Sequence, residues 1–162
     1  MTAGIDPIPH EARGFQGRRA GLVTRSAAAG IDVMIVVVGL LGIYLGYVVV
    51  SFLIKPRAFQ APELPLWLIL VLGYVVMTLY LSLAWHAGGR TYGCAVMGLR
   101  VLDRRNREIG LIKALLRAVI NLAFPLGLGW VILSRKNLSV QDALLGTWVI
   151  YDWDARPLAG AT

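Results

Sequence analysis

Two long apolar runs, each long enough to cross a bilayer, dominate the hydropathy pattern of the chain. The first covers residues 31–54 and the second residues 66–86, and Pro62 and Pro65 interrupt the short stretch between them. A helix rises about 1.5 Å per residue, so roughly 20 apolar residues span the hydrocarbon core. The first run is also too long for the apolar part of a signal peptide. The pattern therefore predicts two retained transmembrane helices.

A third apolar run, residues 111–133, is broken at Pro125, Gly127 and Gly129. It either crosses the membrane once or enters and returns as a re-entrant hairpin, which needs protein or a cavity around the broken backbone. The hairpin leaves two of the 16 basic residues outside, whereas a full crossing leaves five. Because basic residues concentrate on the cytoplasmic side, the hairpin is favoured, and both alternatives place the amino terminus in the cytoplasm.

Composition supports membrane insertion. Hydrophobic residues make up 57% and charged residues 15%, whereas soluble domains have about 45–50% and about 25%. This excludes an ordinary soluble globule and a disordered chain, and the single cysteine, Cys94, excludes a disulfide scaffold. The net charge of +7 comes from basic residues that flank the apolar runs. Such flanking charge indicates anionic lipid headgroups as partners rather than nucleic acid.

The remaining segments predict a small cytoplasmic or interfacial part. Residues 97–102 and 148–153 have strand character and could pair with each other, residues 103–107 form a turn, and residues 139–142 fit a capping box. We predict an all-α membrane protein with three regions: a basic cytoplasmic tail (1–24), a membrane domain (25–154) and a short carboxy-terminal tail (155–162).

One face of the first helix carries both polar and small residues. Arg25, Asp32, Gly39 and Gly46 are each seven positions apart, and Gly42 lies on the same face. Seven residues make nearly two helical turns, and small residues let a neighbouring helix approach closely. We therefore expect this face to pack against protein, with the Asp32 carboxylate turned away from lipid.

A buried carboxylate in a membrane helix needs a partner. Lys113, Arg117 and Asn121 form a polar stripe at four-residue spacing, and we predict that Asp32 pairs with Arg117. Such a pair is either an ion pair that fixes helix register or part of a proton or cation relay; the third alternative is that the charged side chains only snorkel towards the membrane interface. Asp142 is interpreted as a helix cap, as an acidic partner of Arg90 or Arg100, or as both, since the two roles are compatible.

The glycine-rich segment 88–103 could imitate a phosphate-binding loop, but it lacks the Walker and G-x-G-x-x-G patterns. We interpret it as a turn and a small-residue helix at the membrane interface. Its arginines and those that follow it are then expected to contact lipid phosphates: Arg90, Arg100, Arg104 and Arg105.

Catalysis has little support in the sequence. His10, His86 and Cys94 belong to no recognisable nucleophile motif, and the chain shows no metal-ligand spacing. We expect no enzymatic activity, no cofactor and no metal.

Several of these segments together resemble the RDD family of bacterial membrane proteins. The resemblance rests on Arg25 to Asp32, on residues 89–93 and 98–103, on residues 114–117, and on Asp142 with the following Gly146-Thr147. The chain departs from the family pattern after Gly93, where Cys94 and Ala95 replace the usual basic residue. The resemblance implies a plasma-membrane transport module, in some members linked to cation/proton antiport. The ending 148–153 looks like that of actinobacterial members, some of which accompany Mce-type lipid importers.

Two functions follow as hypotheses. The chain either transports cations or protons through an Asp–Arg cluster, as a self-associating module, or serves as a non-catalytic accessory or scaffold subunit of a larger membrane complex. The candidate ion-handling residues are Arg25, Asp32, Arg117, Asn121 and Asp142.

Overall fold

The computed structural model describes residues 14, 16–60, 63–104, 107–123 and 140–153. Its two longest helices, α1 (Leu22–Ile54) and α2 (Leu66–Gly88), are long and apolar enough to cross a membrane. They confirm the two predicted helices as candidate spans. Helix α1 begins nine residues before the predicted span, because the alanine-rich segment 22–30 contains no proline and favours helix although it is not uniformly apolar.

Helix α1 ends at Ile54, where the sequence predicts, and α2 continues two residues beyond the predicted run, to Gly88. After Ile54 the chain forms a short 3₁₀ turn, Pro56–Ala58, since proline cannot donate the backbone hydrogen bond that would continue α1. Gly89 caps the end of α2, and its φ of 69° is the left-handed conformation that glycine adopts without strain. The Gly89 amide still donates to the carbonyl of Trp85 at 3.0 Å, which closes the last turn.

Short elements follow α2, and all of them except α4 (Leu111–Ala123) form a compact polar cap at one end of the two helices. In chain order they are α3 (Tyr92–Val96), β1 (Leu99–Asp103), α4, α5 (Val140–Leu145) and β2 (Thr147–Tyr151). We use the name polar cap for α3, β1, α5, β2 and the segment 16–21 that precedes α1.

The predicted strand pairing is confirmed. Strands β1 and β2 are antiparallel, with Val101 opposite Val149 at the centre of the register. The segment before α1 runs along the other edge of β2, where the Gly17 amide donates to Tyr151 (2.8 Å) and the Ala20 amide donates to Val149 (2.9 Å). The expectation of an all-α protein is therefore wrong in one respect: the protein is mostly helical, but the cap contains a small sheet.

The apolar core lies between the cap and the adjoining ends of α2 and α4. Helix α2 contributes Met77, Leu81 and Trp85, and α4 packs against it through Ala114 and Ala118. The two alanines are buried and small, so the helices can approach closely. Strand residues of the cap complete this core: Leu99, Val101 and Val149.

Beyond the cap, the long helices are largely uncovered. The buried residues of α1 are Arg25, Ala28 and Asp32, all in its first third. A Cβ atom placed on Gly39, Gly42 or Gly46 would meet no described atom within 4 Å. The predicted packing of this glycine face is therefore not made by the described part of this chain.

The break at residues 125–129, and with it the choice between a full crossing and a hairpin, lies outside the described residues. The capping box at Ser139 and most of both predicted tails also lie outside them.

Candidate functional site

Asp142 lies at the centre of a buried cluster that joins four elements. Arg25 of α1 donates from Nη1 to Asp142 Oδ2 at 2.5 Å, and Arg117 of α4 donates from Nη1 to Oδ1. Thr147, at the start of β2, donates to the same Oδ1 from 3.1 Å and is itself bonded to Arg117. Asp142 is 1% exposed. We call Arg25, Arg117, Asp142 and Thr147 the Asp142 cluster.

Neighbouring groups hold both arginines in place. Arg25 donates from Nε to the carbonyl of Ala20 at 3.2 Å, which ties the guanidinium to the segment before its own helix. Arg117 places its guanidinium carbon 5.0 Å from the centroid of the Trp85 ring, an arrangement in which the ring face attracts the cation. Both arginine side chains are buried, so their positions are fixed by these contacts.

The charges of the cluster keep Asp142 ionised. Burial by itself raises the pKa of the Asp142 carboxyl, because a low dielectric disfavours the charged form. The positive charges of Arg117 and Arg25, and their hydrogen bonds, outweigh burial and lower the pKa to about 2. At neutral pH this carboxylate therefore serves as a permanent acceptor rather than as a proton carrier.

Asp32 has a separate environment. Its Oδ1 accepts hydrogen bonds from the hydroxyl of Tyr80 and from the amide of Gly93, both at 2.8 Å. Its Oδ2 accepts from Thr91 Oγ1 at 2.5 Å. The side chain is buried. Three neutral donors from α2 and the start of α3 thus replace the cation that the sequence led us to expect.

The close approach of α3 to α1 makes this arrangement possible. Thr91 caps α3, where its Oγ1 accepts from the Cys94 amide at 3.1 Å while its hydroxyl proton goes to Asp32. Gly93 faces α1, and a Cβ atom at this position would overlap the carbonyl of Ala28 and lie 2.9 Å from Asp32 Cγ. The glycine is therefore needed here for space.

The predicted pair of Asp32 with Arg117 is wrong. Arg117 binds Asp142, and Asp32 binds Tyr80, Thr91 and Gly93. The physical reason is that Arg117 lies in α4, which packs alongside α2. From there its side chain reaches the cap and binds Asp142 and Thr147. The carboxylate of Asp32 instead faces α3, whose turn supplies a hydroxyl and a backbone amide.

The predicted partners of Asp142 are also wrong. Arg90 and Arg100 both bind Asp152, at 3.0 and 3.2 Å, and Arg100 additionally binds Glu108 at 3.0 Å. Asp152 directly follows β2, which places it beside β1 and thus beside Arg100. Lys113 binds Asp103 at 2.9 Å near the surface, and Asn121 is partly buried further along α4.

The four arginines expected at lipid headgroups do not behave alike. Arg100 is buried in the cap, and Arg90 is half-buried against Asp152. Arg104 is exposed, and Arg105 lies outside the described residues. The prediction assigned too many arginines to lipid headgroups, because the sequence does not show that Arg90 and Arg100 pair with Asp152 inside the cap.

Four contributing residues were missed from the sequence: Tyr80, Trp85, Thr91 and Asp152. Thr91 could have been recognised, since a threonine after Gly89 and before a short apolar stretch is a typical helix cap. Tyr80 and Trp85 gave no such signal, because aromatic residues are common in apolar helices and near their ends.

The geometry gives no sign of a metal or nucleophile site in the part of the chain that the structure describes. No three His, Cys, Asp or Glu side chains there lie close enough to hold a metal ion. Cys94 is buried, and burial raises the pKa of its thiol, which leaves it protonated and unreactive at neutral pH.

Comparison with known proteins identifies the family. The sequence profile of the RDD family matches residues 19–146, which is most of the chain and includes both long helices and both carboxylates. The chain belongs to the RDD family, as its sequence motifs indicated. Comparisons with curated proteins and with solved structures give no match.

Proposed function

We propose that this RDD family membrane protein is a non-catalytic accessory or scaffold subunit of a larger membrane complex. The observation that carries the proposal is the Asp142 cluster, in which one carboxylate connects α1, α4, α5 and β2. A carboxylate that is paired with two guanidinium groups and stays ionised is suited to fixing helices in one register. Breaking such a buried pair is costly, so the cluster favours a single arrangement of the helices.

The long apolar stretches of α1 and α2 support a scaffold role rather than the transport of ions or protons. After Asp32, no Asp, Glu, Lys, Arg or His occurs in α1 up to Ile54, and α2 has none before His86. A proton or cation relay across a membrane normally uses a series of ionisable side chains. One copy of this chain offers no such series along its two long helices.

The glycine face of α1 offers a docking surface for a partner subunit. Gly39, Gly42 and Gly46 leave open space along this face, and small residues allow close helix contact in lipid. The partner is proposed to be another membrane subunit, such as one from a Mce-type lipid importer, which the resemblance of the chain ending suggests. Self-association through the same face is the alternative arrangement.

Replacing the glycines tests this role. The full chain with Gly39→Leu, Gly42→Leu and Gly46→Leu should no longer co-purify with its membrane partners in mild detergent, because the leucines fill the contact face. Val37→Leu enlarges an exposed residue on another face of α1 and serves as the matched control. Equal recovery of the same partner subunits with all three leucines in place would refute docking through this face.

A second candidate function, ion or proton coupling, is favoured by the environment of Asp32. This carboxylate is buried in a candidate span and accepts hydrogen bonds from Tyr80, Thr91 and Gly93 rather than pairing with a guanidinium group. If this candidate function holds, Asp32 is the group that exchanges a proton or a cation, and several copies together enclose the pathway.

Flux measurements separate the two functions. The accessory role predicts no cation-driven proton movement in liposomes that contain this protein alone. Flux that Asp32→Asn abolishes and that the control Asp103→Asn retains would establish coupling and overturn the accessory role. Asp103 is a suitable control because it lies in the cap, paired with Lys113 at the surface.

A further inference from the structure

Helix α4 carries apolar side chains on the face that points away from the rest of the described chain. Its inward face is formed by Ala114, Arg117 and Ala118, which are buried. The outward face carries large apolar side chains that are 38–76% exposed: Ile112, Leu115, Leu116 and Val119. In water such a surface would be unfavourable by about 25 cal/mol for each Å² of apolar area.

The packing of α4 along α2 shows how the helix, and therefore its outward face, is oriented. Ala114, Ala118 and the partly buried Leu122 lie one turn apart, and the facing residues of α2 are likewise one turn apart. These are Met77, Leu81 and Trp85. Three successive turns of each helix thus take part in the contact, so α4 runs alongside α2 instead of crossing it at one point.

The direction of α4 follows from the contact at its start. The carbonyl of Ile109, which precedes α4, lies 3.4 Å from His86 Nδ1, at the cap end of α2. Helix α4 therefore begins at the cap and runs back towards the middle of α2. Lys113, in its first turn, still binds Asp103 of the cap, and the long side chain of Arg117 lies over Trp85.

The length of α2 indicates how deep in the bilayer its contact with α4 lies. Leu66 and Trp85 are 19 residues apart, about 28 Å, which is close to the roughly 30 Å hydrocarbon thickness. The stretch from Met77 to Trp85 that packs on α4 then occupies the half of the bilayer nearest the cap. In the same stretch of α2, Leu79 and Leu83 are also exposed apolar residues.

We infer that the outward face of α4 lies against the acyl chains of the cap-side leaflet, with the helix descending into that leaflet alongside α2. Ile112 lies nearest the headgroups and Val119 lies about 10 Å deeper, because the two residues are seven positions apart. Lipid, rather than a partner subunit, covers this face. The inference does not depend on the proposed function, which concerns the glycine face of α1.

Spin labels on α4 test whether lipid covers its outward face and how deep in the bilayer that face lies. Single nitroxide labels at Ile112, Leu116 and Val119, in a Cys94→Ala chain reconstituted in phospholipid vesicles, are exposed to oxygen and to a water-soluble nickel chelate. Oxygen should reach all three labels, and collision with nickel should fall severalfold from Ile112 to Val119. A label at Leu72, exposed on α2, gives the lipid reference, and a label at Arg107 gives the water reference.

Three results would overturn the inference. Nickel collision at Val119 as frequent as at Arg107 would place the face in water. Exclusion of both reagents from Leu116 would mean that protein covers it, and equal nickel collision at Ile112 and Val119 would mean that α4 lies flat at the interface. The unlabelled natural chain provides a second measurement: a phospholipid with a photoreactive acyl chain should attach to residues 115–119, and attachment to α2 alone would also refute the inference.

Discussion

Gly93 lies so close to Ala28 that even a methyl group at Gly93 would overlap the Ala28 carbonyl. This contact between the turn after α2 and the first third of α1 brings the Gly93 amide to Asp32 at 2.8 Å. The hydrogen bond from Gly93 to the buried Asp32 carboxylate therefore requires that residue 93 have no side chain. This requirement is steric rather than electrostatic.

Gly93→Ala should destabilise the protein strongly, because α3 must move away from α1 and Asp32 then loses a donor. Overpacking of this kind costs about 1–3 kcal/mol, and a weakened buried hydrogen bond adds about 1 kcal/mol. Thermal unfolding in detergent or nanodiscs measures the change. Gly39→Ala, where a Cβ meets open space, is the matched control. A Gly93→Ala chain as stable as Gly39→Ala would contradict the contact.

Asp142→Asn should be among the most damaging single substitutions in the chain. It leaves the two buried arginines without their shared carboxylate, and breaking a buried pair costs about 3–5 kcal/mol. Glu108→Gln is the control, because Glu108 also pairs with a buried arginine but is 49% exposed and leaves Arg100 bound to Asp152. An exposed pair contributes about 1 kcal/mol or less, so similar losses from the two substitutions would contradict the role of the Asp142 cluster.

The same carboxylate makes stability depend on acid in a defined range. The pKa of Asp142 is lowered from 3.8 in the unfolded chain to about 2 in the folded protein. Its stabilising contribution is therefore complete above about pH 4 and is lost as the pH falls towards 2, on the order of 2 kcal/mol. Unfolding temperatures measured from pH 7 to pH 2.5 should show this loss in the natural chain. The Asp142→Asn chain should lack it, and an identical acid decline in both chains would contradict the assignment.

Comparison of sequence and structure shows why some features could be predicted and others could not. Apolar runs of bilayer length predicted α1 and α2, and the strand character of two short segments predicted the pairing of β1 with β2. The family motifs also identified Arg25, Asp32 and Asp142 as notable residues. These predictions succeed because each depends on residues that are close in sequence or on a regular repeat.

The partners of the charged residues could not be predicted in the same way. Asp32 binds Thr91 and Asp142 binds Arg25, pairs that are 59 and 117 positions apart. Which arginine meets which carboxylate depends on how the cap folds back onto α1, and opposite charge alone made Arg117 an equally good partner for Asp32. Arg100 was assigned to lipid for the same reason, because its partner Asp152 lies in a distant segment.

Tyr80→Phe tests the neutral donors of Asp32. The substitution removes one of three hydrogen bonds to the carboxylate, and it also removes the hydroxyl that accepts from the Tyr92 amide at 3.1 Å. The expected loss of stability is about 1–2 kcal/mol, because the remaining donors still serve Asp32. Tyr74→Phe, on the same helix but 40% exposed, is the control and should change little. Indistinguishable unfolding temperatures for the two variants would show that Tyr80 contributes nothing to holding Asp32.

The reactivity of Cys94 measures whether the cap is intact, and it can be followed in the natural chain without any substitution. Its thiol is buried at the contact of α3 with α1, and burial raises its pKa, so both access and the thiolate fraction are reduced. Alkylation by a maleimide at pH 7.5 should therefore be at least tenfold slower in the folded protein than in denaturant. Val96→Cys in a Cys94→Ala chain is the matched control, since Val96 lies on the same short helix and is 51% exposed. In the Gly93→Ala chain, where α3 is displaced from α1, Cys94 should react at a rate approaching that of the exposed control; a rate unchanged from the natural chain would mean that α3 tolerates the added methyl group in place.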